Sequence, residues 1–290
     1  MRALAQFIMA SRSRAALVAC AGNLVPLLSP AAVALVALRR GLGEGSLIAL
    51  WAVLPLAITF YTSEVSPMLV WASLFTVVVV MIAAGVLRAS SSWQLALLAL
   101  SVVSGLTALA LGQVLTVDLT EMRDMLAELF AQMQRAGRNP GLEPGTPLVL
   151  GLLAWVMAVS ALGSLLLGRW WQAALYNPGG LGRELRTLRL SAPVALVLMA
   201  GATACQLGPA GYAVWGNLLG LPLFMGGVAL VHHLVAVSQI GSHWLAVFYV
   251  CLVLLLGPLG LLLTGVGFID SLIDLRARLA RRRENSGGPD

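Results

Sequence analysis

Lysine is absent from this 290-residue chain, so all eighteen of its basic side chains are arginines, and Asp and Glu together number only twelve. From Leu190 to Ile269 the chain runs eighty residues without one Asp, Glu, Lys or Arg. A water-soluble domain needs charged residues on the faces of its helices and strands that meet water, so that stretch excludes one. Charged residues make up 10% of the chain, against roughly 25% in soluble domains. Without lysine there is no Walker A loop (GxxxxGK[ST]), and any ATP-driven cycle would need other subunits. Cys20, Cys205 and Cys251 stand far apart in apolar runs with no CxxC pair, which argues against a disulfide framework and a zinc site.

What the chain has instead is long apolar runs: Ala15–Leu38, Gly45–Ser63, Val65–Leu87, Ala89–Val117, Pro147–Gly168 and the uncharged stretch after Arg189. Apolar residues reach 59% and the mean hydropathy is +0.92. A bilayer crossing takes about twenty apolar residues. The expected fold is therefore all-α, a polytopic integral membrane helical bundle of about eight or nine membrane segments. It is read as one membrane domain, 1–290. Within it lie helices over 12–175, an external helix at 118–136, an elbow at 176–190, further spans over 191–265 and a tail at 266–290.

Arginine placement sets the orientation. Arg2, Arg12, Arg14, Arg39, Arg40, Arg88, the Arg169–Arg189 group and the Arg276–Arg283 tail flank the apolar runs, whereas the segments around Glu64 and from Asp118 to Glu143 are acidic on balance. Positive loops stay in the cytoplasm. The expectation is a multi-pass protein of a bacterial cytoplasmic membrane with both termini inside; the net charge of +6 reads as loops meeting anionic lipid, with no nucleic-acid partner. Both flanks of Ala15–Leu38 are basic, so this first run should enter and return as a helical hairpin. Its turn falls at Leu27-Leu28-Ser29, between Pro26 and Pro30. Leu17-Val18-Ala19-Cys20 matches a lipobox, but five apolar residues after Arg14 are too few for a signal-peptide core of roughly 7–15. The run is expected to stay uncleaved. After Arg189, Ser191–Leu207, Tyr212–Val237 and Trp244–Thr264 read as three spans. Pro222 or Pro258 would have to fold one of them back for the tail to lie inside.

Between the spans, Leu119, Met122, Met125, Leu126, Leu129, Phe130 and Met133 recur at three- and four-residue spacing, an amphipathic helix over Asp118–Ala136. Asp118 and Glu121 resemble a capping box and Gly137 supplies a stop. With its pliable methionines this helix suits either an interfacial anchor or a lid over an external pocket. On the other side, Arg169-Trp170-Trp171, Tyr176 and Asn177-Pro178-Gly179-Gly180 read as a headgroup-level elbow. Arg183, Arg186 and Arg189 follow on one helical face. Asp270, Asp274 and Arg276 share a face of the last helix, expected to be solvated and self-paired.

The Arg-Trp-Trp-Gln-Ala-x-Leu-x-Asn-Pro-Gly-Gly stretch resembles the YybS-like family of bacterial polytopic membrane proteins. So do the closing Gly267–Arg276 pattern and the Pro26/Pro30 arm ending in Arg39-Arg40-Gly41. That family is similar to the substrate-capturing S components of energy-coupling-factor transporters. The resemblance implies an S-component-like capture fold with membrane-protein partners; it names no substrate.

No catalytic set emerges. His232 and His233 are adjacent, hence about 100° apart on a helix, and no HExxH, GxSxG or intramembrane carboxylate pair occurs. The chain is expected to be no enzyme and to hold no cofactor and no metal. Substrate-binding candidates are Asn23, Glu64, Met122, Met125 and Asn217. Candidates for lipid or partner docking are Arg169, Trp170, Trp171, Tyr176, Asn177, Arg183, Arg186, Arg189, Asp270, Asp274 and Arg276. The functional expectation is a small-molecule-binding or transport subunit in the lipid bilayer; the alternative is a non-catalytic scaffold docking partners through its arginines. Gly216-x-x-x-Gly220, Ser160-x-x-x-Ser164 and Gly226-Gly227 mark seams of close helix packing.

Overall fold

The computed structural model describes residues 1–62, 66–138, 144–238, 241 and 243–278, and every regular element among them is helical. Six helices are long and apolar enough to cross a bilayer, or seven if a bent pair is counted as one span. The chain is thus a multi-pass helical membrane protein. The expectation of about eight or nine segments also counts shorter helices, which by length alone do not cross. Contacts gather the chain into two compact units, Met1–Gly179 with Ala204–Leu218, and Gly180–Thr203 with Leu219–Asp290. The division at Gly179 falls inside the expected elbow.

The first unit holds α1 (Arg2–Ala10), α2 (Arg12–Ala21), α3 (Leu28–Arg40), α4 (Leu42–Thr62), α5 (Pro67–Ser90), α6 (Trp93–Val114), α7 (Thr116–Arg135) and α8 (Thr146–Tyr176). Ser11 is extended and caps α2 by accepting from Arg14 N–H. The first apolar run does fold as a hairpin, with α2 packed on α3, but its reversal comes earlier than the prolines imply. A 3₁₀ turn at Gly22–Leu24 leads to Leu27 in the left-handed region (φ 67°), and α3 starts at Leu28. Pro30 sits in the first turn of α3, where the N–H it lacks has no intrahelical partner anyway.

With thirteen residues, α3 is about 20 Å long, too short to cross alone. Ala31 to Leu38 are all buried, packed by α2, α4, α5 and α8. An all-apolar helix belongs where neighbours cover every side, and a re-entrant arm persists in a membrane only under such cover. Its last carbonyls are also met: Arg88 Nη1 donates to Leu38 O at 3.1 Å and to Ala37 O at 3.4 Å, and Gln172 Nε2 to Leu38 O at 3.3 Å. A cation at a helix C-terminus is where the macrodipole favours one. Close by, Glu44 pairs with Arg12, Arg40 donates to Met9 O, and Arg39 stacks 4.2 Å over the Tyr176 ring. One end of this unit therefore collects the arginines of three helix termini.

The second unit contains α9 (Gly180–Thr187), most of α10 (Ala192–Leu207) and α11 (Ala213–Ser238), then α12 (His243–Leu254) and α13 (Leu256–Ile273). The chain bends 77° between α9 and α10. Pro222 does not break α11. The expected single span Trp244–Thr264 breaks instead at Leu255, leaving Pro258 in the first turn of α13. Gly227 and Gly267 bring α11 and α13 into backbone contact: a Cβ on Gly267 would lie 2.6 Å from Gly227 N. This is the seam that Gly226-Gly227 foretold.

Candidate functional site

Opposite the arginine-rich end, the first unit encloses a cavity of about 480 Å³. Its wall comes from the hairpin turn (Gly22 to Pro30), Leu56 of α4, the early turns of α5 and α8, and Met122, Met125 and Leu126 of α7. The direction of the helices fixes which end this is. Early residues of α5 and α8 line the cavity, while Arg88 and Gln172, near their far ends, cap α3.

The helix α7 reaches this place for two local reasons. It follows α6 after one non-helical residue, Leu115, which leaves no room for a loop. It also ends in a Schellman pattern: Gly137 (φ 73°) lets its N–H reach Gln134 O at 3.0 Å while Arg138 N–H reaches Met133 O at 2.9 Å. The stop at Gly137 is as the sequence implies. The capping box is not, because the helix begins at Thr116 and has no side-chain cap, placing Asp118 and Glu121 inside its first turns. Phe130 and Met133 pack with Leu148, Leu152, Trp155 and Val214. Met125, 73% exposed, stands at the mouth of the cavity.

Of the substrate-binding candidates, the fold brings Asn23, Met122 and Met125 to this one cavity. Asn23 Nδ2 donates to Ala52 O at 2.9 Å and to Ala19 O and Cys20 O at 3.2 Å, tying the turn to α2 and α4. Three carbonyls around one atom fix it as the nitrogen. The Ala52 carbonyl lies beside that of Trp51, which Pro55 deprives of its helical donor. Asn217 is exposed, outside the cavity lining, and accepts from Gln206 Nε2 at 3.4 Å. Glu64 lies outside the described residues.

Sequence reasoning missed Ser29, Ser73, Thr76 and Ser164. Each lines the cavity and donates to a backbone carbonyl: Ala19 O (2.6 Å), Leu69 O (2.9 Å), Ala72 O (2.8 Å) and Ser160 O (2.8 Å). The Ser160-x-x-x-Ser164 spacing was the available signal, here marking a cavity wall as well as a packing seam.

The docking candidates divide between the units. Arg169, Trp170, Trp171 and Tyr176 are not an elbow but the last two turns of α8, a single 31-residue helix. Trp171 is buried at 1% exposure among residues of α1, α2, α3 and α4, so it is core and not a headgroup anchor. Trp170, Tyr176 and Asn177 are exposed and Arg169 is half-buried, donating to Gln172 Oε1 at 3.0 Å.

In the second unit, α9 ends at Thr187, so Arg189 does not share a helical face with Arg183 and Arg186. It turns to α13 instead, meeting Asp274 Oδ2 at 2.7 Å and the carbonyls of Asp270 and Ser271. The expected solvated face of Asp270, Asp274 and Arg276 is also corrected. The helix ends at Asp274 (φ 49°), and the chain folds Arg276 back onto Asp270 at 3.0 Å, with both side chains buried. Arg276 Nη1 and Nη2 then donate to Arg186 O and Leu188 O at 2.5 and 2.7 Å. Burial, the largest influence, pushes the Arg276 guanidinium below its ordinary pKa; the Asp270 charge opposes that. His232 Nε2 and Tyr249 Oη are hydrogen-bonded at 2.7 Å. No group of three His, Cys, Asp or Glu arranged for a metal occurs among the described residues.

Comparison with protein-family models, with curated proteins and with solved structures returned no match.

Proposed function

We propose that this protein is a non-enzymatic, small-molecule-binding subunit of a bacterial cytoplasmic membrane, of S-component type, whose ligand enters the cavity under α7 from outside. The observation that carries this reading is the meeting of Asn23 with Met122 and Met125 at one cavity. Asn23 stands 99 positions before Met122 in the chain. The volume of about 480 Å³ falls within the roughly 300–1,000 Å³ of ligand pockets. Arg12, Arg39, Arg40 and Arg88 gather at the opposite end of this unit, and the positive-inside rule would put that end in the cytoplasm. The scaffold alternative has lost part of its surface: Arg189, Asp270, Asp274 and Arg276 are engaged with one another and with backbone carbonyls.

Mass spectrometry of the protein purified gently from its native membrane tests the reading. One small molecule per chain is expected, depleted in Met122→Trp and Met125→Trp proteins that keep their thermal stability. Recovery of lipid and partner proteins alone, unchanged by those substitutions, would move the assignment to a scaffold.

A further inference from the structure

The cavity's chemistry restricts what it can hold. None of the twenty-three described residues that line it carries a charge. An ion entering it would lose water and gain no counter-charge, a heavy penalty in a low-dielectric site. The apolar walls are mainly leucine, valine, proline and methionine, with no aromatic ring among the described residues, so these offer dispersion contacts to an aliphatic body and no stacking face.

The polar side chains in the lining are Asn23, Ser29, Ser73, Thr76, Ser160 and Ser164. The hydroxyl hydrogens of Ser29, Ser73, Thr76 and Ser164 go to backbone carbonyls, and Asn23 Nδ2 is surrounded by three more. What these five side chains retain is acceptor capacity: hydroxyl lone pairs and Asn23 Oδ1, which takes no donor among the described residues; Ser160 Oγ, with no hydrogen bond among them, can donate as well as accept. The first-turn amide of Ser29 lies against Gly22, where a Cβ would sit 3.0 Å from it, so that N–H is covered by the turn.

Resting on the binding reading above, we infer that the ligand is an uncharged, mainly aliphatic molecule whose polar end is a hydrogen-bond donor, an alcohol or amide N–H, held by Asn23 Oδ1. A long-chain alcohol from the bilayer and a water-borne neutral alcohol share this chemistry.

The test uses the full chain in phosphatidylcholine nanodiscs and native mass spectrometry. Four probes share an aliphatic body: 1-octanol, octyl methyl ether, octanoate and octylammonium. Wild type should retain one 1-octanol per chain at about tenfold lower concentration than any of the other three, the scale of one hydrogen bond. Asn23→Leu should erase the preference for octanol over the ether, octanol retention falling to that of the ether. The wild-type series decides the matter even if that variant does not fold. Octanoate or octylammonium held as well as octanol would overturn the ligand class and leave the pocket standing. A Ser160→Trp variant that fills the cavity yet retains every probe like wild type would overturn the pocket itself. 1-Hexadecanol included in the nanodisc separates the sources: its retention in place of octanol identifies a bilayer ligand, and octanol retained beside it a water-borne one, both within the inferred class.

Discussion

Arg276 and Asp270 face each other at 3.0 Å with side chains only 9% and 2% exposed, a buried ion pair made by a chain that reverses at Asp274. Each partner has further bonds. Asp270 Oδ1 accepts from Leu275 N–H at 3.1 Å, and Arg276 donates to Arg186 O in the last turn of α9 and to Leu188 O just beyond it. The pair thus ties the end of α13 to the segment joining α9 and α10. Removing one partner leaves a buried charge uncompensated. Arg276→Ala and Asp270→Ala should each cost about 3–5 kcal/mol, and the double variant should cost clearly less than their sum. A double-mutant cycle by thermal unfolding in detergent checks this; additive losses would show that the two charges do not depend on each other.

Adjacent tryptophans should behave oppositely. Trp171 fills the core of the first unit, whereas Trp170 is 43% exposed on α8. Trp171→Ala should cost about 3–5 kcal/mol through the cavity it leaves. Trp170→Ala should change stability by under about 1 kcal/mol. Equal losses on unfolding would contradict this arrangement of the last turns of α8.

Two glycines on α13 supply a matched pair. A Cβ on Gly267 would strike α11 backbone, while one on Gly265 would meet nothing within 4 Å. Gly265→Ala should be neutral or stabilise by up to about 1 kcal/mol from helix propensity. Gly267→Ala has to push the helices apart and should lower the melting temperature measurably. A Gly267→Ala protein as stable as wild type would place the crossing elsewhere.

Orientation is open to labelling. With Cys20, Cys205 and Cys251 replaced by alanine, Gln132→Cys on the exposed face of α7 should react with an impermeant maleimide in intact spheroplasts. Ser13→Cys, beside the arginine-rich end, should react only after lysis. The reverse pattern would put the cavity on the cytoplasmic side.

Much of this was legible in the chain because it follows from local composition. The uncharged runs set the membrane class, and basic flanks on both sides of Ala15–Leu38 called for a hairpin. The three- and four-residue apolar spacing marked α7, and Gly137 marked its end. Proline was a poorer guide. Pro26 and Pro30 bracketed a turn that in fact runs earlier, and Pro258 sits just after a break at Leu255. A proline near a helix start costs nothing, so its position bounds a break without locating it.

The sequence by itself determined that this protein lives in a bilayer as helices, where arginines collect, and which segment lies amphipathic between spans. All of that is carried by neighbours in the chain and by the solvent each residue must meet. Only the tertiary structure decided that Asn23, Met122 and Met125 share a cavity, that Trp171 is core while Trp170 is not, and that Arg189 and Arg276 are spent on Asp274 and Asp270. The shared cavity and the Arg189–Asp274 contact pair residues distant in sequence, and the Arg276–Asp270 pair depends on the chain reversal at Asp274. In a chain this uniformly apolar, periodicity gives little sign of which face meets lipid and which meets protein. Close approach of helices, set by small residues such as Gly227 and Gly267 and by buried carbonyls in need of donors, makes that choice.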